Sequence, residues 1–180
     1  MTVTQDITTT LPEHQMQMEL FTQYHRIEGE IITTALRTNG VLNAPGLHLL
    51  LGKVSTSSLI RPQDSPIESG LARISKEAIA LAVPNDDPDH EQRLMAAKTY
   101  SRGEMLQRRV MLVLGNYELS GNLHLDQELD LQNVLLARPE LFIGLTNANI
   151  IYLPNPSLKF AANTVLINKS RVDFLCAGAP

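Results

Sequence analysis

Apolar residues alternate along one stretch of this chain, and that alternation limits what it can fold into. In Arg109-Val-Met-Leu-Val-Leu-Gly-Asn-Tyr-Glu-Leu-Ser-Gly-Asn-Leu-His-Leu125, Val110, Leu112 and Leu114 recur at every second position. Gly115-Asn116 interrupts, and Tyr117, Leu119, Gly121 and Leu123 resume the same period. A period of two places alternate side chains on one face of an extended strand, and a Gly-Asn pair suits the positive φ angles of a tight turn. The stretch therefore predicts a β-hairpin.

The same outline occurs earlier, in Met16-Gln-Met-Glu-Leu-Phe-Thr-Gln-Tyr-His-Arg-Ile-Glu-Gly-Glu-Ile31. A shift of 92 positions carries Met18, Leu20, Ile27, Gly29 and Ile31 onto Val110, Leu112, Leu119, Gly121 and Leu123. Pro45–Leu51 falls on Pro139–Leu145 with a shift of 94, and Leu71–Leu81 on Thr164–Phe174 with a shift of 93. Three blocks in one order with a near-constant shift predict two copies, residues 16–83 and 109–176. The turn of the first hairpin, Gln23-Tyr24, is chemically poor, so that hairpin is the less sharply specified of the two.

Each copy reads as four or five short strands in about 65 residues, so the expected fold is mainly β, two small barrels in tandem. The core must be aliphatic, since the 180 residues hold four Phe, four Tyr and no Trp. Between the copies, residues 84–108 read as a linker with a short helix, because Asp87-Pro88 is a good cap and first-turn pair and Gly103 a stop. Residues 1–15 read as a disordered arm and 177–180 as a tail. In Asp126–Leu136, leucines at helical spacing predict a short inserted helix.

Composition excludes several classes. One cysteine, Cys176, leaves no intramolecular disulfide and no four-cysteine zinc site, and it reads as a small buried hydrophobe. No apolar run reaches the ~20 residues of a membrane span and MTVTQDITTT has no signal-peptide design, so a cytoplasmic location is expected. Net charge is −4, and no segment is basic: 16–83 is neutral, while 84–108 and 109–176 each carry −1. Bulk attraction to nucleic acid is therefore not expected.

Val110–Leu123 resembles the opening two strands of an Sm-like, SH3-type barrel, with its apolar alternation, turn and Gly-x-Leu. Leu145-Thr-Asn-Ala148 resembles the end of that family's third strand, and Thr164–Leu175 its last two strands joined by a very short turn. The second copy also resembles a family of short, uncharacterised prokaryotic proteins with a Gly-x-Leu/Ile, Phe-Ile-x-Leu-Thr and Asn-Lys layout. The Sm-like resemblance implies barrels that join edge to edge into rings. It also implies uridine reading by an Asn or His after the second strand and by an Arg-Gly in the last turn. Here that turn is Asn168-Lys169 in the second copy and Ser75-Lys76 in the first, so the Arg-Gly is missing from both.

No pattern of catalytic chemistry emerges. The five histidines form no His-x-x-x-His pair, and Gly-x-Ser-x-Gly, Walker and Gly-x-Gly-x-x-Gly motifs are missing. His124-Leu-Asp126 reads as a strand end, Asp86–His90 as helix capping, and Asp126 with Asp130 as solvated carboxylates; no metal or cofactor is expected. Lys76, Arg108, Arg109, Asn168, Lys169 and Arg171 could contact phosphates if they converge; scattered charges that keep strand edges apart are the plainer reading. Leu47–Leu51 and Leu141–Leu145 are apolar on both alternating faces, as in strands covered on both sides. The expected function is a non-enzymatic, self-associating interaction protein. An Sm-like RNA-binding module stands second, and a sensor binding a small molecule between the copies third.

Overall fold

The computed structural model describes residues 13–85, 106–125, 135 and 138–177. It is mainly β: ten antiparallel strands form one sheet, and helix is almost confined to one short segment. The first half supplies β1 (His14–Phe21), β2 (His25–Thr33), β3 (His48–Ser58), β4 (Ile67–Ser75) and β5 (Leu81–Pro84), with α1 (Thr38–Asn43) between β2 and β3. The second half supplies β6 (Leu106–Leu114), β7 (Tyr117–Leu125), β8 (Phe142–Tyr152), β9 (Lys159–Asn168) and β10 (Val172–Ala177). A single 3-10 turn joins β4 to β5 (Lys76–Ala78) and β9 to β10 (Lys169–Arg171).

The sheet order is β10-β6-β7-β8-β9-β5-β1-β2-β3-β4. In each half the last strand flanks the first, and the rest follow in sequence. The pairing agrees residue by residue. Met18↔Gly29 and Phe21↔Leu81 in the first half match Val110↔Gly121 and Val113↔Phe174 in the second. Likewise Leu51↔Ala72 matches Leu145↔Val165. Adding 92 to β1 and β2, 94 to β3, and 93 to β4 and β5 carries one half's ladder onto the other's.

The irregularities fall at matching places. The β2–β3 ladder slips at Gly29 and the β7–β8 ladder at Gly121, and Lys53 and Asn147 both take positive φ (47° and 50°) opposite those slips. A bulge bends its strand and forces the facing strand close. At Gly121 a Cβ would lie 2.7 Å from Leu145 Cγ, and at Gly29 it would lie 3.1 Å from Leu51 Cβ. A side chain at either position would collide with the strand that the bend brings in.

The β6–β7 turn is the expected Gly115-Asn116, with Gly115 at φ 53°. The poorer turn of the first hairpin is closed by Thr22 instead. Its N–H donates to the His25 carbonyl at 2.9 Å, and its Oγ1 accepts from the His25 N–H at 3.2 Å.

Two apolar clusters form the core. One gathers the inward residues of β6–β9 and takes in Phe21, Leu59, Ala80 and Leu81 from the first half. The other gathers β1–β5 and α1 and takes in Phe142 and Leu166 from the second. Each half thus pushes side chains into the other's core.

Several boundaries and assignments differ from the sequence reading. β1 begins at His14, inside the expected arm, and β6 at Leu106, inside the expected linker. The helices expected within 84–108 and 126–136 lie outside the described residues, apart from a helical Leu135; Pro84 closes β5. Cys176 is exposed rather than buried. It lies on the sheet's outermost strand opposite Met111, itself exposed, while the neighbouring Leu175 takes the inward place. Among the described residues no helix is long and apolar enough to cross a membrane.

Candidate interaction surface

The halves meet where β5 pairs with β9, Leu81 opposite Ile167 and Ala82 opposite Leu166. Two ladder pairs are a short seam, and side chains lengthen it. Asn43, at the end of α1, brackets the backbone of Phe142: its Oδ1 accepts from the Phe142 N–H at 2.9 Å, and its Nδ2 donates to the Phe142 carbonyl at 3.0 Å. Asn168 is fully buried, and its Nδ2 donates to the carbonyls of Ile79 (3.0 Å) and Lys76 (3.4 Å). Its Oδ1 meanwhile accepts from the Ser170 N–H at 3.1 Å, so both ends of the amide are used. Arg171 donates to the Glu77 carbonyl at 2.9 Å.

At the other end of the seam, the Tyr117 hydroxyl donates to the Thr22 carbonyl, and Tyr152 and Asn116 both donate to the Gln23 carbonyl (3.2 and 3.0 Å). Burial raises both phenols above their ordinary value; for Tyr117 the neighbouring Tyr152 adds to this and Arg171 opposes it. A buried neutral hydroxyl aimed at a carbonyl is a structural donor.

The basic candidates fare unequally. Lys76 is buried, and its Nζ donates to the carbonyls of Ala44 (2.6 Å) and Val41 (3.3 Å), while desolvation lowers its pKa. Lys169, at the matching position, donates to the Arg138 carbonyl. These two lysines hold loop carbonyls in place. The structure brings Lys76, Asn168 and Arg171 together at the seam and leaves Arg108 and Arg109 on β6, both exposed, with Arg109 donating to Ser120 at 3.3 Å. Sequence reasoning did not nominate Asn43, Asn116, Tyr117 or Tyr152 for a role between halves. Their partners lie about a hundred residues away, and no local pattern marks such a bond.

Beside the seam, β5 turns away from β9 and opens a cleft of about 550 Å³ lined by the amides of Asn85, Asn147, Asn149 and Asn163. Among the described residues the carboxylate there is that of Glu19, which pairs with Arg26. A second, more apolar groove of about 610 Å³ lies against β3 and β4 and includes Ile32, Leu50 and Leu71. Among the described residues no three His, Cys, Asp or Glu side chains gather as metal ligands would.

Among the described residues the outer strands of the sheet are β4 and β10, each paired on one side only. They carry few of the features that blunt an edge. β4 holds Glu68 and Arg73 but no Lys or Pro, and β10 holds only Asp173 as a charge. Ile67, Leu71 and Phe174 project from these edges half-exposed or more. No protein-family model, curated protein or solved structure matches the chain.

Proposed function

We propose that this chain is a non-enzymatic scaffold of two tandem Sm-like, SH3-type barrel units, the product of an internal duplication, that associates with copies of itself. One observation carries the reading. The halves are joined strand to strand by β5 and β9, and the two outer strands, β10 and β4, are the counterparts of those joined strands. A joint made once inside the chain leaves its two complementary faces at the ends of the sheet.

The side chains support a structural rather than a chemical role. The groups whose protonation is displaced by burial, Lys76, Tyr117 and Tyr152, all donate to backbone carbonyls. Four of the six candidates for phosphate contact, Lys76, Asn168, Lys169 and Arg171, are engaged in the same way, which weighs against the RNA-binding reading. Light scattering on a sizing column tests the proposal. A mass above 19.9 kDa that rises with concentration is expected, and a monomer at the highest attainable concentration would contradict it.

A further inference from the structure

The scaffold reading says that copies associate; the internal seam says in which register and how firmly. Resting on that reading, we propose that β10 of one copy adds antiparallel to β4 of the next, with Phe174 opposite Ile74 and Leu175 opposite Arg73, in a contact that dissociates on dilution. The occupant of each open edge is a second copy of this chain.

The register follows from the ladders. Within each half, the last strand holds one register against the first: Leu81↔Phe21 and Ala82↔Leu20 match Phe174↔Val113 and Leu175↔Leu112. The fourth strands are likewise equivalent against the third, with Ile74↔Leu49 matching Ile167↔Ile143 and Arg73↔Leu50 matching Leu166↔Gly144. The seam pairs Leu81 with Ile167 and Ala82 with Leu166. Carried to the open ends, it pairs Phe174 with Ile74 and Leu175 with Arg73. Such a joint uses different faces on its two sides, so it builds a chain of copies that closes into a ring where the rotation allows.

Exposure at the open end supports a missing neighbour. At the seam, Leu141 packs against the first-half cluster and Phe142 is fully buried in it. Their counterparts at the open end are Leu47, 79% exposed, and His48, also exposed.

The firmness follows from which residues stand at the open end. Where the seam has Phe142, Leu166 and Asn168, the open face has His48, Arg73 and Ser75. In place of Tyr117 and Tyr152 stand His25 and Ser58. Strand pairing survives these exchanges, but the buried apolar anchors and several clamps do not. A fixed joint inside the chain and a reversible one between chains result.

The test uses full-length protein with Cys176→Ser as background. R73C with L175C, and separately I74C with F174C, place paired cysteines at the proposed register, where directly opposed strand residues have disulfide-compatible spacing. Mild oxidation is expected to give covalent ladders of the chain in at least one of the two pairs. R73C with native Cys176 is one residue out of register and is expected to give none. The double variant H48F/R73L restores the apolar residue types of the seam, and its dissociation midpoint is expected at least tenfold lower in concentration. A larger native mass with no ladder from either pair, or an H48F/R73L variant that associates no more tightly than wild type, overturns this inference and leaves the scaffold reading standing. A strict monomer overturns both.

Discussion

The starts of β3 and β8 carry nearly the same sequence pattern and meet opposite fates. In Leu47-His-Leu-Leu-Leu51, Leu49 and Leu51 are buried while Leu47 and Leu50 are 79% and 57% exposed. In Leu141-Phe-Ile-Gly-Leu145, Phe142, Ile143 and Leu145 are all buried. Phe142 enters the first-half cluster and Ile143 the second-half one, because β8 lies beside the seam and the first half covers its outer face. The β3 segment has the same apolar character on both faces but covers only one. A strand's own alternation settles which side chains point together; what lies next to it settles whether the second set is buried.

Truncating both strands at the matching place should separate them most widely. Phe142→Ala removes a fully buried ring at the seam and is expected to cost about 3–5 kcal/mol in urea unfolding. His48→Ala, its counterpart, is expected to stay within about 0.5 kcal/mol when measured in dilute solution. Equal losses would mean that the seam confers no special burial on β8.

The bulge glycines give the next largest contrast. In Gly121→Ala the new methyl meets the branch point and one methyl of Leu145 at 2.7 Å and the Thr146 carbonyl at 3.0 Å, whereas in Gly29→Ala its nearest contact is 3.1 Å. Overpacking of the first kind is expected to cost about 1–3 kcal/mol, and the second less. Thermal unfolding of the two variants side by side checks the order.

Asn43→Ala strips both bonds from the Phe142 backbone and leaves a buried N–H without its partner. The expected loss is about 1–3 kcal/mol. Because those bonds exist only at the seam, hydrogen exchange should quicken at β8 and β9 with β3 and β4 unchanged.

The smallest effect is alkaline. Tyr117 and Tyr152 hold their protons in the folded chain beyond the ordinary value of 10.0. Above that value the unfolded chain loses phenolic protons first and binds fewer of them than the folded chain. Stability therefore falls as pH rises past about 10. Tyr117→Phe is expected to flatten that fall and to cost about 1 kcal/mol at neutral pH through the lost bond to Thr22. An unchanged alkaline slope would place the cause elsewhere.

Much of the β architecture was legible because alternation and turn chemistry are local. Val110, Leu112, Leu114, Tyr117, Leu119 and Leu123 all point inward, and Gly115-Asn116 makes its turn. What was not legible depends on distant neighbours. Cys176 is read as buried from its place in an apolar run, yet β10 is the sheet's outer strand and offers it no cover. Lys76 and Lys169 are read as free charges, and only the fold shows that loop carbonyls converge on them. Asn43 carries no signal beyond being a polar residue before Ala-Pro, and its partner lies 99 positions away.

If the open edges are the two faces of a joint already made inside the chain, hydrogen exchange across a concentration series will register both together. Protection of amides in 67–75 and 172–177 is expected to rise together with concentration, while protection at 81–82 and 166–167 stays high throughout. Exchange at both outer strands that is fast and independent of concentration, or protection that appears at one of them alone, would contradict the account.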